Sequence, residues 1–500
     1  MSKRIPLEEL EAYLWESATL LRTNIDAGAY KQYIFPLLFF KRICDVYDEE
    51  TKLAYEKYGS DANEFSEDEL HTFIIPKGYH WKDVRETTTD IGLAIVTAFR
   101  KIEKANSEKL TGVFGDAAWT NKNRLPDRLL KDLIEHFSTL TLSLEKCPED
   151  ELGQAYEFLI KKFADDSGHT AQEFYTNRTV VHLMTEILQP KSGESIYDPT
   201  CGSAGMLISS IAYLKEKGAE WRNVSIYGQE INSLTSAIGK MNLFLHGVKD
   251  FNIVNDDTLV NPAFLDKGKL MQFDLCLANP PYSISQWDRT AFESDKYGRN
   301  FLGVPPQSRA DYAFIQHILA SMKEKTGRCA ILLPHGVLNR NEEKSIRENL
   351  IKSDLLECVI GIGKNLFYNS PMEACIMICK AKGSKSSNRV GKVLFINAKN
   401  EITRKDGFSY LEDKHIKRII DSYKNFQNED NFSAVVNTED LLKNNSSLSI
   451  QYYVNHEPES AYDDEYSLEE YYNQWLSSTE SINNIAKNII AYLKGGEENE

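Results

Sequence analysis

Residues 197–206 read Y-D-P-T-C-G-S-A-G-M, at the end of a short run of strand formers, S-I-Y-D. Asp198 closes that run, Pro199 ends any ladder, and Gly202 and Gly205 allow a tight turn into the helical pattern that follows. A strand that ends in a glycine turn and feeds a helix is the opening unit of an open α/β sheet. In such sheets ligands sit at the carboxyl ends of the strands, against exposed backbone and a helix N-terminus. The turn is not G-x-G-x-x-G and no Walker lysine follows it, which speaks against dinucleotide binding and phosphoryl transfer.

Outward from this turn, residues from about 150 to 400 alternate strand runs with helical stretches. The runs are S-I-Y-D, V-S-I-Y-G-Q-E, F-N-I-V-N, F-D-L-C-L-A-N, R-C-A-I-L-L-P, L-E-C-V-I-G-I, A-C-I-M-I-C-K and V-G-K-V-L-F-I-N. Unbroken apolar runs with helices between them predict a mostly parallel sheet covered on both faces. The last runs follow one another through short loops, which predicts an antiparallel edge. The polar segment S-Q-W-D-R-T-A-F-E-S-D-K-Y-G-R-N at 285–300 reads as a mobile loop whose Arg289, Lys296 and Arg299 suit phosphate contact as well as plain solvation. Residues 1–145 have helical periodicity throughout, and a further helix is expected from about 466 to 494. The expected domains are therefore 1–145 (helical), 146–400 (α/β) and 401–500 (a C-terminal region with a helical tail).

The next strand ends carry a consistent chemistry. Y-G-Q-E-I-N at 227–232 puts Glu230 where ribose hydroxyls are held in nucleotide-binding sheets. N-D-D-T-L at 255–259 offers Asp256 or Asp257 to an adenine amino group, and a helix cap or turn explains either one equally well. Three such ends in order describe a site for an adenosine-bearing ligand without a pyrophosphate. The fourth run ends in A-N-P-P-Y at 278–282. An amine conjugated to a purine is a poor nucleophile because its lone pair is delocalised. The Asn279 side-chain oxygen and the Pro280 carbonyl could take both of its N–H hydrogens and aim the lone pair at an electrophilic methyl. Pro280 and Pro281 would hold those acceptors in place beforehand. Tyr282 offers a face for a planar base, which must leave its duplex to reach such a pocket.

Composition bounds the rest. Five hundred residues, 42% hydrophobic and 26% charged, make a folded chain of two or three domains. No stretch approaches the roughly 20 apolar residues of a membrane span. M-S-K-R-I-P-L-E-E-L shows no secretory h-region, and eight irregularly spaced cysteines suit a reduced, cytoplasmic setting with no metal site. The net charge of −16 argues against gripping nucleic acid over the whole surface. From Glu457 onward eleven acidic residues face two lysines, so the body is only mildly acidic and can meet DNA beside a basic partner.

D-P-T-C-G-S-A-G followed about 75 residues later by N-P-P-Y resembles the S-adenosylmethionine-dependent amino-methyltransferases. More closely, the chain resembles the modification (methylation) subunits of type I restriction–modification systems. The resemblance runs through L-R-T-N-I-D-A-G-A-Y-K-Q-Y-I-F-P-L-L-F-F-K-R-I at 21–43, L-G-Q-A-Y-E-F-L-I-K-K-F-A at 152–164, E-F-Y-T-N-R-T-V-V-H-L-M at 173–184 and A-D-Y-A-F-I-Q-H-I-L at 310–319. It implies a Rossmann-like methyltransferase sheet and S-adenosylmethionine as cofactor. Glu173, Phe174, Tyr175, Thr176, Asn177 and Arg178 would line the methionine end, although Asn177 stands where the family has proline. Asp198, Thr200, Gly202, Ser203, Ala204 and Gly205 would wrap the methionine moiety, Glu230 the ribose, and Asp256 or Asp257 the adenine. Asn279, Pro280, Pro281 and Tyr282 would be catalytic. The family methylates N6 of adenine in double-stranded DNA, reads sequence through a separate specificity subunit in an assembly of two modification chains per specificity chain, and cuts through a restriction subunit. Enzymes that methylate protein glutamines or RNA amines share Asn-Pro-Pro-Tyr, but usually lack the helical block at 1–145. A silent scaffold is disfavoured by the intact Asn279 and Tyr282.

Overall fold

The computed structural model describes residues 4–166, 176–366, 373–405 and 408–454. The eight runs named above are all strands: Ser195–Asp198 (β1), Ser225–Glu230 (β2), Asn252–Asn255 (β3), Leu275–Ala278 (β4), Arg328–Pro334 (β5), Leu356–Ile362 (β6), Ala374–Lys380 (β7) and Lys392–Ala398 (β8). With Ser433–Asn437 (β9) they form one sheet in the order β9-β8-β6-β7-β5-β4-β1-β2-β3. β1, β4 and β6 are buried at every position, as an unbroken apolar run covered on both faces must be.

Seven strands run one way. β9 supplies the expected antiparallel edge, but β7 is also reversed and lies inside the sheet, between β5 and β6. The connection from Ile362 to Ala374 is too short for a crossover helix, so β7 has to return antiparallel. β9 also lies beyond residue 400, so the sheet is completed later in the chain than the sequence boundary had it. The helix expected at 466–494 lies outside the described residues.

β1 pairs with β2 on one side and β4 on the other, and strand order reverses there. The register sets Asp198 opposite Gly228 and Tyr197 opposite Cys276. The carboxyl ends of β1, β2 and β4 therefore open onto one crevice, the position where open α/β sheets bind ligands.

The N-terminal region is helical, built on Leu7–Leu21 (α1), Lys31–Tyr58 (α2), Ile91–Ala105 (α3), Asp127–Phe137 (α4) and Glu149–Asp166 (α5). Arg178–Leu188 (α6), Gly205–Glu216 (α7), Ser233–Leu245 (α8) and Asp311–Ala320 (α9) belong to the α/β part. α5 joins the two. Its Leu152, Tyr156 and Leu159 share a core with Phe35 and Leu38 of α2 and with Ile238 and Met241 of α8. The Tyr156 hydroxyl donates to the Ile238 carbonyl at 3.2 Å. The helical region is thus cemented to the same helix that backs the glycine turn. All eight cysteines are buried and free of disulfides. Among the described residues no helix is long and apolar enough to cross a membrane, and no His/Cys/Asp/Glu cluster could hold a metal ion.

Candidate active site

The turn after β1 is a network of backbone donors on carboxylates. Asp198 is buried, and its carboxylate accepts from the Thr200 N–H at 3.0 Å. Burial pushes its pKa up to about 8, with the nearby Glu230 charge adding to the rise. Gly202 (φ 52°) and Ala204 (φ 64°) take left-handed conformations to bring the chain into α7. Glu230, at the end of β2, straps the turn across the crevice. Its Oε2 accepts from the Gly202 N–H at 3.0 Å and its Oε1 from the Asn232 N–H at 2.8 Å. Gly205 lies directly under Arg178: a Cβ there would lie 2.0 Å from its Nη1 and would push the guanidinium aside. Arg178 in turn pairs with Glu157 of α5 at 2.5 Å.

The turn after β3 separates the two candidate aspartates. Asp257 lines the crevice, with Oδ1 accepting from the N–H groups of Leu259 (2.8 Å) and Val260 (3.2 Å). The Asp256 carboxylate accepts from the Asp257 N–H at 2.8 Å and does not reach the cavity wall. Asp257 therefore caps its own turn and also faces the site.

β4 delivers Asn279. Its Nδ2 donates to Thr176 Oγ1 at 3.0 Å, and its Oδ1 is buried and accepts no hydrogen bond among the described residues. The Tyr282 hydroxyl is buried too, which holds its pKa well above that of a free phenol. Trp287 and Phe314 continue the aromatic wall beside it. Thr176, Arg178, Asp198, Thr200, Gly202, Ser203, Gly205, Glu230, Asp257, Asn279, Pro280, Pro281 and Tyr282 all line one cavity of about 460 Å³. That volume suits a nucleoside-sized ligand.

Six candidates do other work or fall outside. Asn177 caps α6 through Thr179 N–H (3.0 Å) and donates to the Ser409 carbonyl (3.0 Å), which gives a polar reason for its departure from proline. Asp256 and Ala204 shape turns without facing the cavity. Glu173, Phe174 and Tyr175 lie outside the described residues.

The segment 285–300 departs from its sequence reading. Arg299 is 2% exposed and its guanidinium donates to the carbonyls of Thr258 (2.9 Å) and Leu259 (2.8 Å) and to Asp295. It bolts the segment to the turn after β3 and is not available to a phosphate. Arg289 is half-buried, donating to the Pro305 carbonyl at 2.9 Å and to Glu293 at 3.3 Å, and Lys296 is exposed with its ammonium over the Tyr297 ring. Sequence reasoning missed Glu157 and Phe314 as parts of the site, whereas Trp287, which the sequence left open as a residue that could close over the base, lines the cavity. Glu157 and Phe314 sit inside blocks that carried the family resemblance, but nothing in their residue type or spacing announced chemistry.

Residues 148–462 match the N-6 DNA Methylase family model, and residues 10–137 match the HsdM N-terminal domain. The chain belongs to the N-6 DNA methylase family. The type I restriction enzyme MjaVIII methylase subunit of Methanocaldococcus jannaschii is 31% identical, covering 98% of this chain and 86% of its own length. The MpnII methylase subunit of Mycoplasma pneumoniae is 28% identical, covering 97% and 96%. A type I restriction–modification methyltransferase subunit from Streptococcus thermophilus superposes with a TM-score of 0.78 at 29% identity, covering 90% of this chain and all of that one. The chain is thus an N6-adenine DNA methyltransferase of the type I methylase-subunit kind, and its cofactor is S-adenosylmethionine. The cavity fits that cofactor. It carries carboxylates at the ends of β1, β2 and the turn after β3, and Arg178 as the one cation among its described lining residues.

Proposed function

We propose that this methylase transfers a methyl group to N6 of an adenine turned out of a DNA duplex, at a sequence chosen by a separate specificity subunit. The observation that carries this reading is the buried acceptor of Asn279, unmet among the described residues, on a loop stiffened by two prolines. A buried acceptor without a partner costs about 1–3 kcal/mol, a cost that makes sense where a ligand completes the hydrogen bond.

Bound S-adenosylmethionine supplies an electrophilic methyl on a sulfonium. Glu230 would hold its ribose hydroxyls and Asp257 its adenine amino group. Asp198, Thr200 and the turn residues Gly202, Ser203 and Gly205 would take the methionine end with Thr176 and Arg178, Ala204 only shaping the turn behind them. Arg178 faces the carboxylate there and Asp198 the ammonium, matching each charge. On the DNA side, Asn279 Oδ1 and the Pro280 carbonyl accept the two N–H hydrogens of the target amine. This draws the nitrogen lone pair out of conjugation and points it toward the methyl. Pro280 and Pro281 keep the acceptors from relaxing, so little reorganisation is needed at the moment of transfer. Tyr282, with Trp287 beyond it, receives the face of a base that has left its stack.

The relatives' names, methylase subunits of type I restriction enzymes, support membership of a larger assembly, and in our reading two of these chains flank one specificity subunit and a restriction subunit joins for cleavage. In this reading the helical region would supply a docking surface for the partners. The test is transfer of tritiated methyl to plasmid DNA, with and without the specificity subunit. Label on adenine only when that subunit is present is the expected result. Label with this chain alone would mean it reads sequence itself. Label on protein or RNA but never on DNA would overturn the substrate.

A further inference from the structure

The loop bearing Asn279 and Tyr282 is braced from behind by a buried ion pair that touches neither the cofactor wall nor the aromatic wall. Ser283, directly after Tyr282, has φ 52°, a left-handed backbone that serine adopts only when its surroundings enforce it. The enforcing groups are well defined. The Ser283 N–H donates to Asp311 Oδ1 at 2.9 Å, and its hydroxyl to Oδ2 at 3.4 Å. Arg340 donates to Asp311 Oδ2 at 2.8 Å and to Ser283 Oγ at 3.1 Å. The Asp311 side chain is 1% exposed, and it opens α9, whose N-terminal dipole favours a carboxylate there. Three elements meet at this point: the loop after β4, the start of α9, and the segment after β5. Asp311's charge also helps keep the Tyr282 hydroxyl protonated.

We infer that Asp311 is a positioning residue for methyl transfer, one that holds Ser283 left-handed and thereby fixes Tyr282 and Asn279 against the cavity, with Arg340 locking the carboxylate in place. The inference rests on Asn279–Tyr282 being the methyl-transfer loop. Pro281 fixes the chain on the near side of Tyr282 but cannot set the angle on its far side. That angle is set at Ser283. A loop pinned at one end only would let Tyr282 swing while leaving the turns after β1, β2 and β3, and so the cofactor, undisturbed.

The test uses the chain with its specificity subunit on target DNA, together with S-adenosylhomocysteine binding and the thermal midpoint. D311N keeps the shape but turns an amide toward Arg340. It is expected to lower kcat by about 100-fold, with the cofactor KM and the S-adenosylhomocysteine Kd within about threefold of the native chain. S283V keeps the Asp311–Arg340 pair, gives up only the hydroxyl's bonds to it and resists a positive φ, and should reproduce the kcat loss. D311N/S283G should recover about tenfold over D311N, because glycine takes the left-handed conformation without enforcement. A D311N kcat within about threefold of native overturns the inference, as does a loss carried wholly by cofactor binding, or no rescue by glycine. Should D311N not fold, S283V decides alone, and a near-native kcat overturns it. The unsubstituted complex tests the loop's own role separately: if it labels no adenine, the reading of Asn279–Tyr282 fails, whereas a D311N as active as the native chain sinks only the brace.

Discussion

The turn after β1 and the loop after β4 face each other across the same cavity and are held in place by opposite means. The first is closed by its own polar groups. Glu230 answers the N–H groups of Gly202 and Asn232, and Asp198 answers that of Thr200. The second is stiffened by Pro280 and Pro281 and braced from behind at Ser283 by Asp311 and Arg340, while its key acceptor, Asn279 Oδ1, is left unmet among the described residues. A site that binds its cofactor in advance can satisfy most of its groups internally. A site that must favour a transition state keeps an acceptor aimed at a nitrogen that has not yet arrived.

The sharpest way to break the contrast is N279A. It should remove methyl transfer by about a thousandfold or more, the loss expected when a preorganised transition-state partner goes, with S-adenosylhomocysteine affinity nearly unchanged. Single-turnover transfer and calorimetric binding on the same preparation separate the two quantities. An equal fall in both would mean that Asn279 belongs to the cofactor turn. E230Q is the mirror experiment. An amide can accept from only one of Gly202 and Asn232, so cofactor affinity should fall by about 10- to 100-fold, the worth of a charged hydrogen bond. Turnover at saturating cofactor should stay within a few-fold. A kcat loss at saturation would erase the division between the two halves.

Asp198 offers a smaller effect that tests the electrostatics directly. Burial raises its pKa to about 8 in the free chain, so at pH 7 it is mostly protonated. A raised carboxylate pKa means that the folded state binds more protons than the unfolded one between the ordinary aspartate range, near 4, and about 8. Stability of the free chain should therefore decline as pH rises through that window. A cationic cofactor end favours the carboxylate and lowers the pKa again, so binding at pH 7 should release up to about one proton. Calorimetry in two buffers of different ionisation enthalpy counts that proton, and D198N should abolish it. A release that persists in D198N would assign the proton elsewhere.

Much of this was legible in the sequence because it follows chain order. Gly202, Glu230, Asn279 and the eight strand runs sit where local pattern and the geometry of an open sheet put them, and the acids needed only a strand to end before them. What the sequence concealed depends on partners far along the chain. Arg299 read as a surface cation in a polar loop, yet it donates to carbonyls about 40 residues earlier, and only the folded arrangement shows that those carbonyls needed a donor. Asp256 and Asp257 were indistinguishable by type. The direction of one turn, closed by the hydrogen bonds of Leu259 and Val260 to Asp257, puts Asp257 and not Asp256 on the cavity wall. β7 was legible as a strand, but its place inside the sheet was not, because it inserts between β5 and β6, two strands that both precede it, instead of adding to the edge.

Glu157 is the most distant of these hidden parts, and it supplies the subtlest test. It sits on α5, whose other faces are buried in the helical region through Leu152 and Leu159, and it holds Arg178 over Gly205 in the methyltransferase part. The helical region thus reaches into the cofactor cavity through one ion pair. That pair is only partly buried, with side chains 20% and 26% exposed, so its own worth is modest, on the order of 1 kcal/mol after solvent screening. E157Q should accordingly weaken cofactor binding by about three- to tenfold while leaving kcat unchanged and the thermal midpoint within a few degrees. Raised salt should shrink the difference between the variant and the native chain, since what was lost is Coulombic. If E157Q instead lowers kcat and spares cofactor affinity, Arg178 faces the transferring methyl rather than the methionine end. The boundary between the two halves of the cavity would then run through Arg178 itself.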